Sequence, residues 1–143
     1  MKLAIDKKML EDVNPRLSIR SEPIIDDSKP KDDHLMKGAD DVLLVDLRKK
    51  KVTGATAEKV LGEGNIVCNK NGIPFDNEKP TITSGIRLGT PAATTRCFKE
   101  KQFKQVGSWI LQILDNVNSE QSSHVISKVK KEVLDLCSEF PIY

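Results

Sequence analysis

The chain has 143 residues, of which 38% are hydrophobic and 31% charged, which suits one domain with enough apolar material for a modest core. Its 23 Lys and Arg against 21 Asp and Glu leave a net charge of +2, too small to argue for a nucleic-acid partner, and the basic run Arg48-Lys49-Lys50-Lys51 has no interleaved aromatics to stack on bases. No apolar stretch approaches the ~18 residues needed to cross a bilayer and the N-terminus lacks the apolar core of a secretion signal, so a cytoplasmic chain without a membrane partner is expected.

Residues 1–37 mix paired acids (Asp26-Asp27, Asp32-Asp33), lysines and three prolines. They read as a mobile arm of unknown origin with one possible helix from Leu3 to Val13. The apolar run Val42 to Leu47, closed by charges, suits a buried strand, and the basic run after it suits a solvated turn. Thr53 to Leu61 reads as a short helix, with Thr53 as N-cap and Gly62 and Gly64 ending it. Ile66 to Cys68 is a second predicted strand, Asn69 to Pro80 a loop, and Ile82 to Leu88 a third strand.

Two amphipathic helices follow from three-to-four spacing. One carries Phe103, Val106, Ile110, Ile113, Leu114 and Val117, and the other Ile126, Val129, Val133, Leu136, Cys137 and Phe140. Trp109 and the phenylalanines read as core. The sum is an α+β domain over residues 38–143, with a small antiparallel three-stranded sheet and helices packed on one face. Cys68, Cys97 and Cys137 are odd in number and widely spaced, and His34 and His124 have no second ligand at helical spacing. Neither a disulfide framework nor a metal site is expected, and a reducing compartment fits.

Chemistry concentrates in Thr83-Ser84-Gly85-Ile86-Arg87-Leu88-Gly89-Thr90-Pro91. One arginine stands between two glycines, and a proline fixes where the next element begins. The glycines remove side chains that would hold off a ligand or a second backbone. Arg87 is left to reach out, and its planar fork of donors can orient a carboxylate as well as place it. On the residues alone, a surface ion pair is the competing reading of Arg87.

The surrounding motifs extend that picture. They are Val42-Leu43-Leu44-Val45-Asp46-Leu47-Arg48, then Thr53-Gly54 with Ala57-Glu58 and Leu61, then Asn69-Lys70-Asn71 with Ile73-Pro74 and Asp76. Thr83 to Pro91 with Thr94-Thr95-Arg96 comes next, then Trp109, and Val133-Leu134-Asp135-Leu136-Cys137 to Pro141-Ile142-Tyr143 closes the chain. In order and spacing, residues 38–143 resemble the C-terminal domain of serine hydroxymethyltransferase of bacterial type.

The resemblance implies the small domain of a fold-type I pyridoxal-phosphate enzyme of serine–glycine interconversion, with tetrahydrofolate as one-carbon carrier. It implies that Arg87 binds the carboxylate of the serine or glycine substrate and that Asn71 contacts the folate. For Asn71 a plain turn residue is the alternative. Lys79-Pro80-Thr81 matches a folate-contacting segment that is usually Ser-Pro-Phe, so the aromatic is absent here.

Other departures concern the backbone and the cofactor. The family's Thr-Arg-Gly is Thr95-Arg96-Cys97, which puts a side chain where glycine's freedom is expected. Its Asp-Asn-His-Leu is replaced by Asp40-Asp41-Val42-Leu43, or is displaced to Asp33-His34-Leu35-Met36. The Thr-Thr-Thr-His run and the Schiff-base lysine after it have no match, so no catalytic residue is assigned. The expectation is a truncated C-terminal domain, inactive alone. It is a decayed remnant, a half-enzyme completed by a separate large domain, or a non-catalytic module that binds full-length enzyme.

Overall fold

The computed structural model describes residues 18–20 and 42–142. Four strands are present among them: β1 (Ser18–Arg20), β2 (Val42–Asp46), β3 (Asn69–Asn71) and β4 (Gly85–Gly89). They form one antiparallel sheet in the order β1-β2-β4-β3. Four helices accompany them: α1 (Gly54–Glu63), the short α2 (Pro91–Thr95), α3 (Glu100–Asn116) and α4 (Ser122–Glu139). A 3-10 turn at Arg48–Lys50 follows β2.

The α+β class with helices on one sheet face agrees with the sequence reading. Alternation along β2 buries Leu43 and Val45, and β4 adds Ile86. These meet Ala57, Val60 and Leu61 of α1, Trp109 and Ile113 of α3, and Val129 and Val133 of α4 in one continuous core. Each such fully buried aliphatic side chain contributes about 1.5–3 kcal/mol. Trp109 also uses its polar end, donating from Nε1 to Glu132 Oε2 at 2.6 Å, so α3 and α4 are pinned as well as packed.

Five expectations are corrected. The sheet has four strands, not three, because Ser18–Arg20, within the segment read as an arm, pairs with β2 as Ser18↔Asp46, Ile19↔Val45 and Arg20↔Leu44. Three residues are too short to show a period of two, and the pairing is dictated by the open edge of β2. The helix expected from Leu3 to Val13 lies outside the described residues.

The second strand is Asn69–Asn71, three residues beyond the apolar Ile66 to Cys68. Ile66 and Cys68 are buried, but the Ile66 N–H turns back to Leu61 O at 2.9 Å, and the ladder with β4 starts only at Asn69↔Arg87. The third strand runs over Gly85–Gly89, three residues later than its expected start at Ile82. The carbonyls of Ile82 and Thr83 are given to the start of α1, and Thr83 has φ 58°, which breaks an extended run.

Side-chain environment supplies the other two. Lys50, read as part of a solvated turn, is largely covered and bonds Asp115 of α3. Phe75, read with the other phenylalanines as core, is exposed, whereas Phe98 and Phe103 are buried.

The loop that precedes β4 is fixed by α1. Thr53 caps the helix by accepting from Thr56 N at 3.2 Å, as its position suggested. The N–H groups of Gly54 and Ala55 donate to Thr83 O and Ile82 O, both at 2.9 Å. Only glycine fits at 54, since a Cβ there would lie 2.1 Å from Thr83 Oγ1 and 2.3 Å from Gly85 O. Gly64 ends the helix, again as expected, with its N–H on Val60 O and Gly62 O.

Candidate functional site

The sheet face away from the helices carries two of the residues that the sequence singled out, Arg87 and Asn71. Arg87 is exposed in β4 between Ile86 and Leu88, which turn toward the core side. Its register partners are Leu44 on β2 and Asn69 on β3. Asn71 stands opposite Gly85, so Asn71 and Arg87 are diagonal neighbours on one face. The nearby carboxylate on that face, Asp46, is bound by Arg48 through contacts of 2.7–3.1 Å. No hydrogen bond or ion pair engages the Arg87 side chain among the described residues.

Gly85 has a definite packing reason. A Cβ there would lie 2.5 Å from Ile73 Cγ2, 2.9 Å from Val45 O and 3.0 Å from Asn71 O. The glycine therefore lets the loop after β3 close down on the start of β4, beside Arg87. Pro91, as expected, opens the next element at the first position of α2.

Asp76 organises that loop, and sequence reasoning assigned it no role. Its carboxylate accepts from Ser84 Oγ at 2.6 Å, Ser84 N at 2.8 Å, Glu78 N at 3.0 Å and Ile73 N at 3.2 Å. The Ser84 hydroxyl first, and then the backbone N–H groups, hold its carboxyl well below the usual carboxylate range. An aspartate two residues after a proline in a loop is a signal for such a hub, though a generic one.

The remaining predicted residues lie around this frame. Asn71 is half-buried and donates from Nδ2 to Gly72 O at 2.8 Å. Its Oδ1 has no partner among the described residues. Lys79, Pro80 and Thr81 are exposed, and Lys79 O closes their turn by accepting from Ile82 N at 2.8 Å and Thr83 N at 2.9 Å. They share the loop between Asn71 and β4, but no hydrogen bond links their side chains to Arg87 or Asn71 among the described residues. Cys97 has φ 67°, the left-handed region that favours the family's glycine. A cleft of about 200 Å³ lined by Lys49, Lys50, Leu114, Asp115, Val117 and Asn118 contains none of these residues.

The arrangement can bind and orient an anionic group. Among the described residues the two lysines that are not exposed, Lys50 and Lys70, each pair with a carboxylate, Asp115 and Glu58 respectively. Neither is a free, enclosed amine. The described residues therefore do not fit the cofactor that the sequence resemblance implied.

An antiparallel sheet with helices packed on one side defines a small α+β domain, and its glycine-flanked Arg87 is exposed on the other side. The chain belongs to the serine hydroxymethyltransferase family: the family model described as "Serine hydroxymethyltransferase" matches residues 28–110. Serine hydroxymethyltransferase of Ruegeria pomeroyi is 45% identical over 145 residues, covering 93% of this chain and 34% of the relative. The enzyme of that name from Paracoccus denitrificans is 43% identical over the same shares. That of Polynucleobacter asymbioticus is 58% identical over 102 residues, covering 71% of this chain and 24% of the relative. The chain spans about a third of the length of the first two relatives, and these alignments and the family match both reach into residues 1–37.

Proposed function

We propose that this chain is the small C-terminal part of a fold-type I serine hydroxymethyltransferase. Alone it is inactive, and it supplies the substrate-carboxylate clamp to a site completed by a separate cofactor-holding domain. The observation that carries this reading is Arg87, whose guanidinium is exposed on the sheet face opposite the core and has no hydrogen-bond or ion-pair partner among the described residues. An arginine kept only for stability would be expected to hold a carboxylate of its own chain, and the nearby Asp46 is already taken by Arg48.

In a complete site pyridoxal phosphate supplies an electron sink for bonds to the substrate's α-carbon. Arg87 binds the substrate carboxylate through two parallel donors, and a carboxylate fixed in orientation decides which bond to the α-carbon is presented for reaction. Asn71 offers an amide oxygen on the same face to a folate ligand.

The test is serine cleavage with pyridoxal phosphate and tetrahydrofolate, using the chain alone and the chain mixed with a separately made large domain. The expected result is no turnover alone and turnover in the mixture, reduced about 100-fold or more by Arg87→Ala. A second reading, a decayed remnant, is favoured by Cys97 in a left-handed conformation that glycine would adopt freely. A mixture as inactive as the chain alone would select it.

A further inference from the structure

Asn69 lies directly opposite Arg87 across the β3–β4 ladder. The Lys70 N–H turns away from β4, to Glu58 Oε1 at 3.0 Å, so the pairs on either side of it, Asn69↔Arg87 and Asn71↔Gly85, are those that exchange ladder bonds. In such a pair the α-carbons stand about 5.5 Å apart and both side chains leave the sheet on one face. The register partner of Arg87 on its other side is Leu44, which has no side-chain donor or acceptor. Asn69 is thus the register neighbour of Arg87 that can hydrogen-bond.

Asparagine is a poor strand former, so Asn-Lys-Asn is accounted for by what its side chains do and not by strand propensity. Lys70 holds Glu58 through its ammonium at 3.0 Å, and Asn71 donates to Gly72 O at 2.8 Å. Asn69 is exposed, and its side chain makes no hydrogen bond among the described residues. A carboxylate has about four lone-pair sites, of which a guanidinium fork takes two. A neutral amide N–H beside the fork can fill a third without competing for the arginine. An acid at the same position would pair with Arg87 and close it.

We propose that Asn69 is a second carboxylate-contacting residue, donating from Nδ2 to the group that Arg87 grips. The clamp is then one-sided: β3 offers a donor and β2 offers only Leu44, so the carboxylate is drawn toward β3. This inference deepens the function proposed above and rests on it, under which the ligand is the α-carboxylate of a small amino acid.

The experiment has two arms. In the first, the full chain is titrated with N-acetylglycine, and with its amide as a control lacking the carboxylate, while nuclear magnetic resonance follows the side-chain N–H groups of Arg87 and Asn69. Saturable shifts at both with the acid alone are expected, with half-saturation raised about fivefold by Asn69→Ala. Asn69→Asp should abolish binding and make the Arg87 resonance titrate with the new carboxylate, which a misfolded variant would not do. In the second arm, the chain mixed with the large domain should show a KM for serine about fivefold higher in Asn69→Ala, with kcat within about twofold. No saturable shift in the unsubstituted chain, an unmoved Arg87 resonance in Asn69→Asp, or an unchanged half-saturation or KM in Asn69→Ala would overturn the proposal. A mixture inactive in every form, beside Asn69-dependent binding of N-acetylglycine, would remove the function reading and leave this one standing.

Discussion

Cys97 shows how one side chain can oppose its own backbone. Its φ of 67° lies where a non-glycine residue costs about 1–2 kcal/mol, and its side chain is exposed, so little packing is gained in return. Cys97→Gly is expected to raise stability by about 1 kcal/mol, part of the relief being offset by glycine's greater freedom in the unfolded chain. Urea unfolding would measure it, and a lower midpoint would show that the Cys97 side chain makes a stabilising contact. Cys68 differs in kind. Burial, reinforced by the charge of Glu58, pushes its thiol up to about 11, so it stays protonated and inert at neutral pH.

The loop between β3 and β4, and its tie to α1, depend on two carboxylates. Asp76 and Glu58 both have depressed carboxyl pKa values, Glu58 through the backbone N–H and then the ammonium of Lys70. A carboxyl whose native value lies below its unfolded value of about 4 gives stability that is complete above that value. This stability is lost as pH falls through the folded value. Asp76→Asn should therefore be less stable at neutral pH and show a flatter decline between about pH 4 and pH 2. Urea midpoints across that range would test it, and an unchanged slope would remove Asp76 as the source.

The two long helices were legible because three-to-four spacing of Phe103 to Val117 and of Ile126 to Phe140 survives any tertiary detail. The strands were less so. β3 is Asn-Lys-Asn, a polar edge whose Lys70 N–H is satisfied by Glu58 Oε1 at 3.0 Å, twelve residues away in sequence. No local pattern announces that pairing. Arg87 was visible from its flanking glycines, whereas Phe75 was misread because an aromatic is ordinarily core and only the turn geometry turns it outward.

Across the whole molecule, the two faces of the sheet have separate tasks. One carries the apolar core, and the other carries Arg87, Asn69 and Asn71 with small residues between them. Arg96 ties the region just after β4 to the far end of the chain, donating from Nε to Phe140 O at 2.9 Å and from Nη2 to Cys137 O at 3.1 Å. These acceptors belong to the C-terminal end of α4, where helix carbonyls lack intrahelical partners. Arg96→Ala should cost about 1–3 kcal/mol and speed amide exchange in the last turn of α4. Unchanged exchange there would show that α4 is held by its apolar face alone.

Helix N-termini commonly receive phosphates, because their first N–H groups are free and the helix dipole is positive there. At α1 those donors are already engaged: Gly54 on Thr83 O, Ala55 on Ile82 O, Thr56 on Thr53 Oγ1 and Ala57 on Thr53 O. The bonds that fix the approach to the Arg87 strand thus close this helix end to anions. A phosphorylated ligand lying against the domain would have to take its phosphate contacts from a surface other than this helix end.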